Sequence, residues 1–336
     1  MALDVPASSS DAEQRTSAGE HEVADNSPWA AEAAGVPTRQ ARSGQITRVV
    51  TPTVSVRKRL KEIWLSRELL LYLVRTEIKV KYKNSALGLV WSMIAPAMTL
   101  AIYYVVFQII LHNHVPNFVI FLMSGLLLWN LFSFGLVTGT GVIVNNAGIV
   151  KKVSFPREIL ALASVWSACV FFFFQSLVMI LFMVVLRAPP DMTYFPLLLL
   201  ALVTGVILTA ALAVLLCAIN VYLRDTQHLI EVLLTAWFWA CPIVYYYGLV
   251  QTELVKHHAT WVYFLNPMTP LVLTFQRCLY AHPIVTISGQ STVVLPLHGY
   301  AWYAALVCGV LVCAIVLFFV GLAVFGRLEG NFAEEL

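Results

Sequence analysis

Between Lys83 and Lys151 the chain carries no Asp, Glu, Lys or Arg, and none occurs from Cys278 to Gly326. A water-soluble domain needs charge on its surface, whereas one charge at mid-bilayer costs roughly 2.5–3.5 kcal/mol or more. The two deserts therefore exclude a soluble globular chain. They also hold no carboxylate that could relay protons, which disfavours a proton-coupled carrier. No Gly is followed by Lys, so the GxxxxGK[ST] phosphate-binding loop is absent. If ATP drives this protein, a separate chain binds it.

Other absences narrow the field further. Cys169, Cys217, Cys241, Cys278, Cys308 and Cys313 form no CxxC pair and read as small apolar residues, not as a disulfide frame or metal site. His112 and His114, like His257 and His258, have no paired Cys, Asp or Glu nearby, so no metal site is expected. No His–carboxylate pair accompanies the Ser and Thr of the apolar runs, and no catalytic residue is expected. A net charge of +3 gives no argument for nucleic acid.

What is present is apolar sequence: 60% of residues are hydrophobic and 12% charged, about half the usual charge. The runs are long and continuous rather than short and alternating, which points to helices and not a barrel. An all-α polytopic membrane protein is predicted. Six spans, each near or above the roughly 20 residues a bilayer requires, are expected at 86–111, 118–143, 159–186, 195–221, 229–247 and 300–325.

Residues 1–55 are rich in Ala, Ser, Glu and Asp and are expected to be a disordered cytoplasmic tail, without the pattern of a signal peptide. In 56–84, Leu60, Ile63, Trp64, Leu70, Leu71, Val74 and Ile78 recur at helical spacing among nine Lys and Arg. That is a basic amphipathic helix suited to an anionic membrane surface, where each basic residue is worth about 1 kcal/mol. Residues 85–336 form the six-span domain.

Basic residues set the orientation. Lys151, Lys152 and Arg157 follow span two, Arg224 follows span four and Arg327 span six, whereas 112–117 has no Lys or Arg. Both termini are therefore expected in the cytoplasm. The segment 248–299 is apolar but broken by Pro267 and Pro270, suggesting helices that dip partway into the membrane between spans five and six. Glu231 reads as an interfacial residue stabilising a helix N-terminus. Gly135 and Gly139 form a GxxxG, a sign of close helix packing. Aromatics are dense; at span ends they make an interfacial belt, and deeper ones could stack on the C–H faces of a sugar.

Several runs are more specific. KVKYKNSALGLVWSMIAPAMTLAIYYVVF (79–107), NNAGIVKKVSFPREILALA (145–163), NVYLRD (220–225), NPMTPLVLTFQ (266–276) and FGRLEGNFAEEL (325–336) resemble, in order, the permease subunits of ABC-type polysaccharide exporters, the O-antigen, teichoic acid and capsule systems. The resemblance covers about 56–336; the tail has no counterpart in the minimal pattern. It implies a homodimer with two copies of a cytoplasmic nucleotide-binding subunit, which would hold ATP and magnesium, while this chain holds no cofactor. It also implies a lipid-linked polysaccharide as substrate and the bacterial inner membrane as location.

By the same resemblance Asn145, Lys151, Lys152, Phe155, Pro156, Arg157, Arg224 and Asp225 would face the ATPase. Arg75, Lys79, Lys81 and Lys83 would meet lipid head groups at the membrane surface. Tyr103, Tyr104, Phe107, Trp129, Trp239 and Tyr245 are the channel-lining candidates. The alternatives are a membrane-embedded glycan- or lipid-modifying transferase, which would need a clustered acid–base site, and a passive channel, which would need no ATPase.

Overall fold

The computed structural model describes residues 56–336 apart from 82, 84, 86, 87, 111, 113, 114, 154, 257–259, 288 and 289. The expected tail, and the pairing of His114, His257 and His258, lie outside the described residues.

The amphipathic segment forms two helices, α1 (Val56–Leu65) and α2 (Arg67–Lys81), parted at Ser66. Among the described residues five helical segments are long and apolar enough to cross a bilayer: Met93–Ile110, Phe118–Asn145, Glu158–Val185, Met192–Tyr222 and Tyr300–Asn331. The first joins α3 (Trp91–Tyr104) to a π-helical stretch, Val105–Ile110. The others are built on α4 (Phe118–Asn145), α6 (Glu158–Val185), α7 (Phe195–Tyr222) and α12 (Tyr300–Leu328). A short α5 (Ala147–Lys152) turns the chain from α4 to α6.

Helix α4 is the central column: 78% of its apolar window is buried, against 6% for Met93–Ile110, which lies almost wholly on the surface of the bundle. Two glycines let neighbours approach α4. A Cβ on Gly135 would sit 2.8 Å from Thr209 Cγ2, and one on Gly139 2.8 Å from Ala213 Cβ, so both face α7. The GxxxG is thus a packing device, with small residues on both sides of the contact.

The expected span at 229–247 is not one continuous helix. Helix α8 (Thr226–Trp239) has 14 residues, about 21 Å, against a hydrocarbon core of about 30 Å. Beyond Trp239 the chain is irregular to Tyr246, then forms α9 (Tyr247–Lys256), α10 (Thr260–Leu265) and α11 (Met268–Leu279). A hairpin of β1 (Ile284–Ile287) and β2 (Gln290–Val293) follows, so the fold is not wholly helical.

Helix α11 completes the interrupted path. It starts beside the tip of α8 and ends where the Tyr280 hydroxyl donates to the Pro116 carbonyl (2.9 Å), just ahead of α4. Nearly all of α11 is buried. Irregular backbone at membrane depth must find its hydrogen bonds within the protein. Here Asn266 accepts from Trp237 Nε1 (2.8 Å) and the Met268 amide (3.0 Å) and donates to the Ala240 carbonyl (3.3 Å), while Gln276 Nε2 donates to the Pro242 carbonyl (2.7 Å). Both residues belong to NPMTPLVLTFQ, which gives that motif a structural reason.

Candidate functional site

A cavity of about 650 Å³ opens between α3, α4, α6 and α8. Its polar lining comes from Thr99, Asn130, Ser133, Gln175, Glu231 and the Lys81 side chain. Trp91, Phe134, Phe171 and Phe172 supply ring surface. Asn130 Nδ2 donates to Gln175 Oε1 (3.1 Å), joining α4 to α6 midway along both helices. A second cavity of about 300 Å³ shares Thr99, Asn130 and Leu234 with the first and adds Tyr103, Trp129, Phe238 and Trp239. Tyr103 stacks on Phe238, with ring centroids 5.8 Å apart and planes at 16°.

Lys81 reaches this space because α2 does not stop at the surface. Arg59 of α1 pairs with Glu158 at the start of α6; further along α6 the Ser167 hydroxyl donates to Glu77 Oε2 (2.8 Å), and further still the Lys81 ammonium lies over the rings of Phe134 (3.9 Å) and Phe171 (4.6 Å). Helix α2 therefore climbs along α6. Burial pushes the Glu77 carboxyl above its ordinary range, against the pull of the Ser167 hydrogen bond and of Lys81. Burial likewise lowers the Lys81 amine, with Glu77 opposing.

Just ahead of α6 lies a basic face. The short α5 buries Val150 and exposes Ile149, Lys151, Lys152 and, just after it, Val153. Asn145, Arg224 and Asp225 are also exposed. Phe155, Pro156 and Arg157 are half-buried; Arg157 Nη1 donates to the Glu329 carbonyl (3.0 Å) and its guanidinium faces Phe332 of α13 (Phe332–Glu335). Arg224 Nη2 donates to the Glu335 carbonyl (3.4 Å). The chain's own C-terminal segment thus engages two of the basic side chains.

Compared with known proteins, residues 68–280 match the family model described as ABC-2 type transporter. Over 244 residues the chain is 32% identical to the O-antigen export system permease protein RfbA of Myxococcus xanthus, spanning 70% of this chain and 92% of that protein. The chain belongs to the ABC-2 type transporter family. Two proteins of the same printed name from Klebsiella pneumoniae are 26% and 25% identical over 269 residues, each spanning 80% of this chain and 95% of the relative.

As an ABC-2 transporter chain this is a multi-pass membrane permease, and its cavity collects only part of what the sequence singles out. Tyr103, Trp129 and Trp239 line the smaller cavity. Tyr104 is exposed on α3, Phe107 packs against Phe118, and the Tyr245 hydroxyl bonds to the Trp239 carbonyl (3.1 Å) and to Tyr263. Arg75, Lys79, Lys81 and Lys83 are all exposed, and of the four Lys81 also lines the cavity. Glu231 is not in the first turn of α8, which begins at Thr226; it lies a turn further on and lines the cavity. Sequence reasoning missed Asn130 and Gln175. Two amides alone in apolar runs were their only mark.

Proposed function

We propose that this chain is the permease of an ABC exporter that moves a lipid-linked polysaccharide out of the bacterial cytoplasm across the inner membrane. It works as a homodimer with two copies of a separate nucleotide-binding subunit, which hold ATP and magnesium. The observation that carries this reading is the composition of the cavity. Rings and uncharged amides at mid-helix depth suit a sugar, whose C–H faces stack and whose hydroxyls both donate and accept. The printed names of the relatives, O-antigen export permeases, support the same substrate class.

Dimerisation is supported by the open side of the site. Met93–Ile110 is 6% buried, and α8 exposes Leu229, Val232, Leu233 and Trp239. The two helices flank the cavity without closing it, and a second copy would. Docking of the ATPase is supported at the basic face, where Ile149 and Val153 offer apolar surface beside Lys151 and Lys152. Force applied there enters α4 and α6, the helices that carry Asn130 and Gln175. Both termini and this face lie in the cytoplasm in this reading, which the concentration of basic residues supports.

Depleting the chain in its native cells tests the reading. Lipid-linked polysaccharide then accumulates on the cytoplasmic side while surface polysaccharide falls. Unchanged surface polysaccharide after depletion would sink it.

A further inference from the structure

The end of α12 is gripped by two arginines through one residue. Glu329 accepts from Arg157 Nη1 with its main-chain carbonyl (3.0 Å) and from Arg59 Nη2 with its carboxylate (3.0 Å). Arg59 also pairs with Glu158, the residue after Arg157. Arg59, Glu158, Arg157 and Glu329 thus close a ring that joins α1, the start of α6 and the end of α12. Gly326 leaves room for it, because a Cβ there would lie 3.0 Å from the Arg59 guanidinium. Beyond the ring the chain folds back on itself. Phe332 is fully buried against Phe325 and Tyr222, with ring centroids 5.4 and 6.1 Å away, and the Tyr222 hydroxyl donates to the Leu328 carbonyl (2.8 Å). The last carbonyls of a helix lack partners within it. Here two of them take side chains from other parts of the chain.

The basic residues of this face therefore divide into two sets. Lys151 and Lys152 are exposed and take part in no ion pair among the described residues. Arg157 is half-buried, with one nitrogen on the Glu329 carbonyl and its guanidinium 5.8 Å from the centre of the Phe332 ring. A guanidinium committed in this way to its own chain is not offered to a partner. We propose that Arg157 is a positioning residue: with residues 329–336 it braces α5 and the start of α6 so that Lys151 and Lys152 meet the nucleotide-binding subunit, and it does not touch that subunit itself. The inference rests on the export reading above. Within the residues expected to face the ATPase, it separates those that touch it from the one that sets their place. Arg224, whose Nη2 donates to the Glu335 carbonyl (3.4 Å), ties the turn before α8 to the same segment.

The test measures how tightly the nucleotide-binding subunit that accompanies the chain in native membranes binds the full-length chain in nanodiscs. Arg157→Met, which cannot donate to the Glu329 carbonyl, is expected to weaken binding about 10-fold or more, the size of a hydrogen bond from a charged group. Arg157→Lys, which still donates, is expected to stay within about threefold of wild type. Removing residues 332–336 is expected to weaken binding to a similar extent as Arg157→Met. Adding Arg157→Met to the shortened chain is expected to cost no more than about twofold further, because the two changes disable one brace. Lys152→Gln, at a contact with the partner, is expected to multiply its loss in full in either background. Should the shortened chain not fold, Phe332→Leu replaces it. The ring under the guanidinium is then gone while most of the apolar volume remains, and Arg157→Met again costs less than it does alone.

Binding by Arg157→Met within about threefold of wild type would overturn the assignment, as would Arg157→Lys as weak as Arg157→Met. Losses that multiply between Arg157→Met and the change at 332–336 would overturn it too, since Arg157 would then touch the subunit itself. The brace also has a readout in the chain alone. Hydrogen exchange of α5 amides is expected to speed up about threefold or more in Arg157→Met and in the shortened chain, and not in Lys152→Gln. Equal rates in all of them would likewise overturn the brace. A wild-type chain that binds no nucleotide-binding subunit would instead sink the export reading, and the exchange rates would still decide the brace.

Discussion

Arg59 and Glu158, 99 positions apart, form an ion pair in which the carboxylate side chain is 1% exposed and the guanidinium 11%. Arg59 also reaches Glu329, beyond α12, at 3.0 Å. Burial would lower the Arg59 pKa, but the two carboxylates more than offset it and the side chain stays charged. Through this one residue α1 is tied to the first turn of α6 and to the end of α12. The start of α6, just after the basic loop, is therefore joined to both α1 and the end of α12.

Removing one partner of such a buried pair leaves an uncompensated charge, which costs about 3–5 kcal/mol. Glu158→Ala is expected to lower the midpoint of thermal unfolding in detergent sharply. The double variant Arg59→Leu with Glu158→Leu is expected to recover much of the loss, because no buried charge is orphaned. A double variant no more stable than Glu158→Ala would contradict the pairing.

The contact between α4 and α7 leaves no room for a methyl group at Gly139. Gly139→Ala should destabilise the chain by about 1–3 kcal/mol through overpacking. Adding Ala213→Gly removes the opposing Cβ and should restore part of that stability. Additive losses in the double variant would mean that the two residues do not oppose each other.

Asn266 holds the junction of α8, α10 and α11 through the Trp237 indole, the Met268 amide and the Ala240 carbonyl. Asn266→Ala leaves these groups unpaired in an apolar setting, at about 1–3 kcal/mol for each buried group orphaned. Proteolysis of the 240–267 region should accelerate in this variant while cleavage near α5 stays the same. Uniform acceleration along the chain would argue against a local role.

Docking of α2 on α6 should depend on pH through Glu77. Its pKa is raised in the folded state, so the docked form binds the proton more tightly than the free form. The stabilising contribution is full below the ordinary carboxylate value of 4.5 and is lost as pH rises through the raised value. Hydrogen exchange of α2 amides, corrected for intrinsic rate, should show protection falling as pH rises above the ordinary carboxylate value in the wild type and flat in Glu77→Gln. A flat profile in the wild type would contradict the account.

Much of the fold was legible because the bilayer imposes a single rule on long apolar runs. Helices α4, α6, α7 and α12 begin within a residue of their expected starts at 118, 159, 195 and 300. The run 229–247 obeys the same rule in composition and still breaks at Trp239, because Asn266 and Gln276, distant in sequence, satisfy the backbone that the break exposes. Lys81 was legible as one basic residue among nine; its place over Phe134 in the cavity lining was not, since that depends on how α2 packs along α6. Asn130 and Gln175 gain their meaning only from facing each other across two helices. Periodicity along one chain contains nothing about such pairs.

The measurement that bears most directly on the account is transport in proteoliposomes. This chain is purified from native membranes with the nucleotide-binding subunit that accompanies it and reconstituted with lipid-linked polysaccharide. The account predicts transfer of the polysaccharide across the bilayer only when ATP is hydrolysed, with loss of both subunit association and transfer on charge reversal at Lys151 and Lys152. Transfer at the same rate without ATP, or a chain that purifies with no nucleotide-binding subunit in mild detergent, would contradict it.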